Sequence, residues 1–118
     1  MKKFILLIFT LIVLFSCSET SPEDIIDNTP ITTAVTYDAD IATIFSNHCL
    51  PCHGSVIMSG GMVYESFTEI RNAVENGNVI DRITRSVGDP LIMPQGRQLP
   101  QTSIDLIIQW QRDGFLEN

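Results

Sequence analysis

The sequence predicts an all-α fold of about four short helices joined by long loops. Apolar residues recur at helical spacing in four separate segments, and glycine and proline cluster between those segments. No segment shows the alternation of apolar and polar residues that is typical of a strand. The chain has 118 residues and therefore forms at most one domain of ordinary size.

The first helix is predicted to begin at Asp38 or Asp40, because a short acidic side chain is a good helix cap. Residues 41–45 place apolar side chains on one face of this helix, which should run into a pair of cysteines and be broken by Pro51.

Three further helices follow in the second half of the chain. Ser66 and Glu69 have capping-box spacing and predict a helix that ends at Gly77. A shorter helix is expected over residues 79–86. The last and most regular helix should begin at Thr102 and end near residue 114, after a Pro/Gly-rich loop over residues 91–100.

The N-terminus differs from the rest of the chain. Two lysines precede an almost unbroken apolar run of 12 residues, Phe4–Phe15, which is too short to span a bilayer and is typical of a signal peptide. The sequence Leu14-Phe15-Ser16-Cys17 resembles a bacterial lipoprotein cleavage box. This resemblance implies a signal peptide over residues 1–16 and a lipidated Cys17, with simple secretion as the alternative.

Residues 17–36 are rich in Ser, Thr, Pro and acids, and are interpreted as a flexible tether from Cys17. Removal of residues 1–16 leaves five arginines against fourteen acidic residues, a formal charge of −9. Such a charge makes a nucleic-acid partner improbable and favours a partner protein with a basic docking patch.

Two cysteines lie three residues apart in "NHCLPCHG", residues 47–54. A Cys49–Cys52 disulfide would close a very short loop and stabilise little of the fold. A thioredoxin-like dithiol needs neighbouring strands, which the sequence does not predict. A zinc site would have to use His48 and His53 as well, and adjacent ligands such as Cys52 and His53 rarely complete a tetrahedron.

The order Cys49-x-x-Cys52-His53 is the attachment sequence of a c-type haem. In such a site the two sulfurs form thioether bonds to the porphyrin, and the following histidine is the proximal iron ligand. Covalent attachment of haem takes place outside the cytoplasm, in agreement with the predicted export. A domain this small also needs a staple, and a covalent haem would be one.

A second axial ligand is expected from His48 or from one of three methionines. His48 directly precedes Cys49 and would be held near the wrong edge of the haem. Met58 and Met62 are too close to His53 in sequence to reach the opposite face of the haem. Met93 lies forty residues after His53 and is stiffened by Pro94, so Met93 is favoured. The alternative for Met93 is an ordinary core methionine.

The sequences "CLPCH", "IMPQG" and the closing "IDLIIQW" together resemble a monohaem class I cytochrome c, over residues 37–118. The resemblance implies a small cytochrome c fold around one covalently bound haem c, with Cys49 and Cys52 as attachment points and His53 and Met93 as axial ligands. Arg97 is a candidate partner of a haem propionate, or else a solvated loop charge.

The implied function is electron transfer between redox partner proteins at a bacterial membrane, on the periplasmic or cell-surface side. The sequence shows no nucleophile–base pair that would indicate an enzyme, so an electron carrier is expected. The alternatives are a haem module that binds gases or other ligands, and a haem subunit of an oxidoreductase with an open or labile sixth site.

Overall fold

The computed structural model describes Ile31 and residues 33–118. All regular structure in this part is helical, which confirms the predicted all-α class at that level. The five α-helices of the described residues are α1 (Ala42–His48), α2 (Leu50–His53), α3 (Phe67–Glu75), α4 (Val79–Ile83) and α5 (Gln101–Arg112). A π-helical turn (Tyr37–Ile41) leads into α1, and a 3-10 turn (Ser59–Gly61) lies between α2 and α3.

The predicted signal peptide, Cys17 and most of the tether lie outside the described residues. Among the helices of the described part, none has the length and apolar character needed to cross a bilayer.

The first helical segment is capped by Thr36, so the predicted cap at Asp38 or Asp40 was wrong. The Thr36 hydroxyl accepts the N–H of Ala39 at 3.3 Å, and the Asp40 carboxylate reaches back to accept the N–H of Thr36 at 3.1 Å. Asp40 therefore supports the cap and does not form it. Val35, at the end of the predicted tether, is only 2% exposed, and packing thus begins before Tyr37.

Pro51 was predicted to break a helix, but in the structure it begins one. Helix α1 ends at His48, and Pro51 lies in the first turn of α2, where its missing N–H costs no hydrogen bond. Cys49 joins the two helices: its N–H donates to the carbonyl of Phe45, and its carbonyl accepts the N–H of His53, both at 2.9 Å. The cysteine pair therefore lies on a rigid helical junction.

Helix α3 begins with the predicted capping box. The Ser66 hydroxyl accepts the N–H of Glu69 at 3.3 Å, and the Glu69 carboxylate accepts the N–H of Ser66 at 2.9 Å. Gly77 follows the end of α3 because there is no room for a side chain: a Cβ there would lie 2.5 Å from the carbonyl oxygen of Ala73.

Helix α4 is shorter than the predicted segment 79–86. It ends at Ile83, where the Thr84 hydroxyl donates to the carbonyl of Ile80 at 2.8 Å. The irregular loop that follows is anchored by Arg85, which pairs with Asp81 and Asp89 at 3.0 and 2.9 Å.

Helix α5 packs against the π-helical turn Tyr37–Ile41. Its buried residues Ile104, Ile107 and Trp110 recur at a spacing of three, and it begins at Gln101, one residue before the predicted Thr102. The Trp110 indole is fully buried and donates to the carbonyl of Leu116 at 2.8 Å. Its ring lies 6.3 Å from that of Tyr37, so α5 packs against the first helical turn.

Candidate functional site

A cleft of about 410 Å³ opens between the α1–α2 junction, α4 and the loop around residues 90–95. Its apolar lining includes Phe45, Val79, Ile83, Leu99 and Ile107. The lining also includes Cys49, Cys52, His53 and Met93. The four side chains that the sequence singled out therefore border one cavity, although Met93 comes from a distant part of the chain.

The orientation of His53 is set by a backbone acceptor. His53 is only 8% exposed, and its Nδ1 lies 2.9 Å from the carbonyl oxygen of Ser59. Because a carbonyl can only accept, Nδ1 is the donor, and in the neutral imidazole this leaves on Nε2 the lone pair that a metal requires. A hydrogen bond of this kind fixes the ring and raises its basicity as a ligand. No local sequence pattern points to this acceptor.

Ser59 is presented by a turn with left-handed backbone. Gly60, which follows it and also lines the cleft, has φ +65°, a conformation that costs a residue with a side chain about 1 kcal/mol or more. Gly61 has φ +73°. The two glycines therefore allow the chain to turn directly beside the imidazole.

The loop that contains Ser59 is closed at its base by two hydrogen bonds. The N–H of Tyr64 donates to the carbonyl of His53 at 2.9 Å, and the N–H of Ser55 donates to Glu65 Oε1 at 2.6 Å. Hydrogen bonds from the backbone and side chain of Ser55 lower the pKa of Glu65, so this closure uses an ionised carboxylate at neutral pH. The loop is thus held at both ends around Ser59.

Both cysteines at the cleft are free thiols. Cys49 is partly buried, and burial raises its pKa to about 11, whereas Cys52 is exposed. A redox-active dithiol depends on a lowered thiol pKa, and Cys49 has the opposite shift. With no strand in the described part of the chain, the thioredoxin-like alternative has no structural support.

A zinc centre is also disfavoured. Within residue 31 and residues 33–118, no group of three or more His, Cys, Asp or Glu side chains is arranged to hold a metal ion. A structural zinc needs four such ligands, and no such set is found among the described residues.

Met93 is held at the cleft by the end of α4. Its N–H donates to the carbonyl of Arg82 at 3.0 Å, and Gln98 Nε2 donates to the carbonyl of Ile83 at 3.0 Å. Carbonyls in the last turn of a helix lack partners within the helix, so these two are available to dock the loop. The loop that carries the half-buried Met93 is therefore held to one short helix by two hydrogen bonds, one of them from Met93 itself.

The other candidate ligands have different surroundings. Met62 lines the cleft, but its sulfur accepts a hydrogen bond from the Tyr64 hydroxyl at 3.2 Å, and the Tyr64 ring packs 5.0 Å from that of His53. Met62 is thereby tied to the His53 side. Met58 is 51% exposed and outside the lining, whereas His48 lies in it.

The arginine at the cleft is Arg82, which the sequence reasoning missed. Arg97 is exposed and does not line the cleft. Arg82 lines it, and its Nη1 is buried without a hydrogen-bond partner among the described residues. The helical period could have found it, because Arg82 lies three residues after Val79, on the face of α4 that borders the cleft.

No protein-family model, no curated protein and no solved structure matches this chain. The cleft itself combines two thiols, an imidazole with a free Nε2, a thioether and an unpaired guanidinium N–H within an apolar wall. The imidazole and the thioether are groups that can ligate a metal, and the two thiols could form covalent bonds to a cofactor.

Proposed function

We propose that this protein is an electron carrier whose cleft holds one haem c, attached through Cys49 and Cys52 and ligated by His53 and Met93. The observation that carries this proposal is the common cleft: four side chains of the right chemistry border it, and one of them lies forty or more residues from the others. When bound, the haem supplies a one-electron iron couple, and the protein supplies ligands and surroundings.

His53 is the better prepared of the two ligands. Its Nδ1–H donates to the Ser59 carbonyl, so the ring is held in one tautomer with Nε2 available for the iron. In that tautomer, no proton has to leave Nε2 when the iron binds.

Met93 provides a thioether that favours ferrous iron more than a second imidazole does. Its loop docks on α4 through backbone and side-chain hydrogen bonds, so the sulfur is held by the fold and not by the iron alone. A retained sixth ligand keeps small molecules off the iron, as an electron carrier requires.

The surroundings suit electron exchange with another protein. Buried apolar side chains form part of the cleft wall, while Cys52 in the same lining is exposed to solvent. A formal charge of −9 after removal of residues 1–16 favours redox partner proteins with a basic docking patch. Export and a lipid anchor at Cys17 would place these encounters on the outer side of a bacterial membrane.

Carbon monoxide binding tests the carrier against the ligand-binding alternatives. The reduced wild-type protein should scarcely bind carbon monoxide and should show, when oxidised, the weak far-red absorption band of a thioether–ferric iron bond. Met93→Ala should abolish that band, lower the reduction potential and admit carbon monoxide, while the haem stays attached.

Met58→Ala is the matched control, because Met58 is exposed and outside the cleft lining; it should behave as the wild type. Full carbon monoxide binding by the wild type would instead favour a gas-binding module or an oxidoreductase subunit with an open site. If Met62→Ala removes the band and Met93→Ala does not, the distal ligand is Met62.

A further inference from the structure

Arg82 is a charged side chain in the wall of a largely apolar cleft. Its Nη1 is buried and has no hydrogen-bond partner among the described residues. Buried polar groups are almost always paired in native proteins, and an unpaired guanidinium N–H is costly. This N–H of Arg82 therefore needs a hydrogen-bond acceptor that the described residues do not provide.

Nearby carboxylates do not supply it. Asp81 and Asp89 both pair with Arg85, and Asp89 also accepts the N–H of Leu91 at 2.7 Å. The pKa of Asp89 is lowered first by the Leu91 N–H and by Arg85, and Arg82 adds only a more distant charge. Within the described part of the chain, Arg82 has no salt-bridge partner.

The backbone of the same residue holds the loop of the distal ligand. The Arg82 carbonyl accepts the N–H of Met93 at 3.0 Å, and the next carbonyl, that of Ile83, accepts Gln98 Nε2. One turn of α4 thus carries both the unpaired cation and the anchor of Met93.

Building on the proposed function, we propose that Arg82 is the anion-binding residue of the cleft, that its guanidinium binds a carboxylate of the bound haem, and that α4 thereby couples this contact to the position of Met93. A guanidinium suits this role because its planar N–H groups match a carboxylate and it remains charged.

Arg82→Met should lower both the reduction potential and the stability of the haem-loaded protein. Loss of the cation leaves a negative carboxylate uncompensated near the iron; this favours the ferric state and lowers the reduction potential. It also lowers the midpoint of urea unfolding of the haem-loaded protein. If Arg82 were only an unsatisfied buried cation, its replacement by an apolar side chain of similar length would leave stability unchanged or raise it.

The experiment compares Arg82→Met, Arg82→Lys and Arg97→Met in the full haem-loaded chain, with intact mass confirming one haem in each. Arg97→Met is the control, because it removes the same charge from an exposed position outside the cleft. We expect a lower potential, a lower urea midpoint and tighter binding of added imidazole to ferric iron for Arg82→Met. Arg82→Lys should recover part of the potential, and Arg97→Met should match the wild type.

Unchanged or increased stability of Arg82→Met together with an unchanged potential would overturn the assignment of Arg82, as would equal effects of Arg97→Met. Both of these results leave the haem attached and the proposed function intact. Absence of covalent haem from the wild-type protein would instead refute the proposed function itself.

Discussion

At the scale of single residues, the contact that matters most is the one between His53 and the Ser59 carbonyl. An imidazole that ligates a metal needs one nitrogen free for the metal and the other in a hydrogen bond that orients the ring. The 2.9 Å contact to the Ser59 carbonyl occupies Nδ1 and leaves Nε2 free. The carbonyl can take this position because Gly60 adopts φ +65° directly after it. Under the proposed function, the geometry of the proximal ligand therefore depends on one glycine in the loop.

Gly60→Ala tests that link. Forcing Ala into this left-handed conformation costs about 1 kcal/mol, which relaxation of the turn can relieve at the expense of the His53 hydrogen bond. A less basic imidazole stabilises ferric iron less, so the reduction potential should rise, as measured by redox titration.

Gly61→Ala is the matched control, since Gly61 has φ +73° and nothing within 4 Å of an added Cβ. It carries a similar backbone strain one residue further from the Ser59 carbonyl. Both variants should lose comparable stability, but only Gly60→Ala should shift the potential. Equal potentials for the two would mean that the Ser59 contact does not tune the ligand.

At the scale of elements, α3 contributes Ile70 and Val74 to the core and does not border the cleft through either of them. Its start depends on the capping box between Ser66 and Glu69. Ser66→Ala should therefore destabilise the protein by about 1 kcal/mol, seen as a lower urea midpoint, without changing the haem spectrum.

Thr68→Ala is a suitable comparison, because Thr68 is an exposed residue in the same first turn. It should cost clearly less than Ser66→Ala. If the two variants unfold at the same urea concentration, the capping box contributes nothing measurable.

Helices were predictable from the sequence where the residues that define them lie close together in the chain. The capping box at Ser66 and the apolar period of α5 depend on residues within one or two turns, and both were found in the sequence. The role of Pro51 was not, because Pro breaks a helix interior but begins a helix equally well, and only the position of Cys49 decides between the two.

The environment of the candidate site was the least predictable part. The motif identifies Cys49, Cys52 and His53 from their spacing alone. The Ser59 acceptor depends on a glycine turn, and the unpaired Arg82 depends on how α4 packs. These are contacts between segments, which local patterns do not encode.

At the scale of the whole molecule, the core and the cleft share their walls. Phe45, Val79, Ile83, Leu99 and Ile107 belong to the hydrophobic core and also line the cleft. A domain of this size buries little apolar surface by itself, and a ligand that binds only the folded state stabilises it. Under the proposed function, the haem therefore completes the core as well as carrying the electron.

The whole chain also includes the predicted anchor, which lies outside the described residues. Cys17→Ala should prevent lipidation and release the protein from membranes, with the haem spectrum unchanged because Cys17 precedes the predicted cytochrome c domain of residues 37–118. Fractionation and the N-terminal mass measure this. Recovery of the variant in the membrane fraction, with the wild-type cleavage site, would count against a lipid anchor.

The central claim is that this chain carries one haem covalently, and the most direct measurement is the absorbance spectrum and intact mass of the full-length protein after acid–organic extraction. We predict that the haem stays with the polypeptide, that the mass exceeds the processed chain and its lipid by one haem, and that the spectrum changes reversibly between oxidised and reduced forms. Haem that extracts freely, or zinc found in its place, would contradict the account.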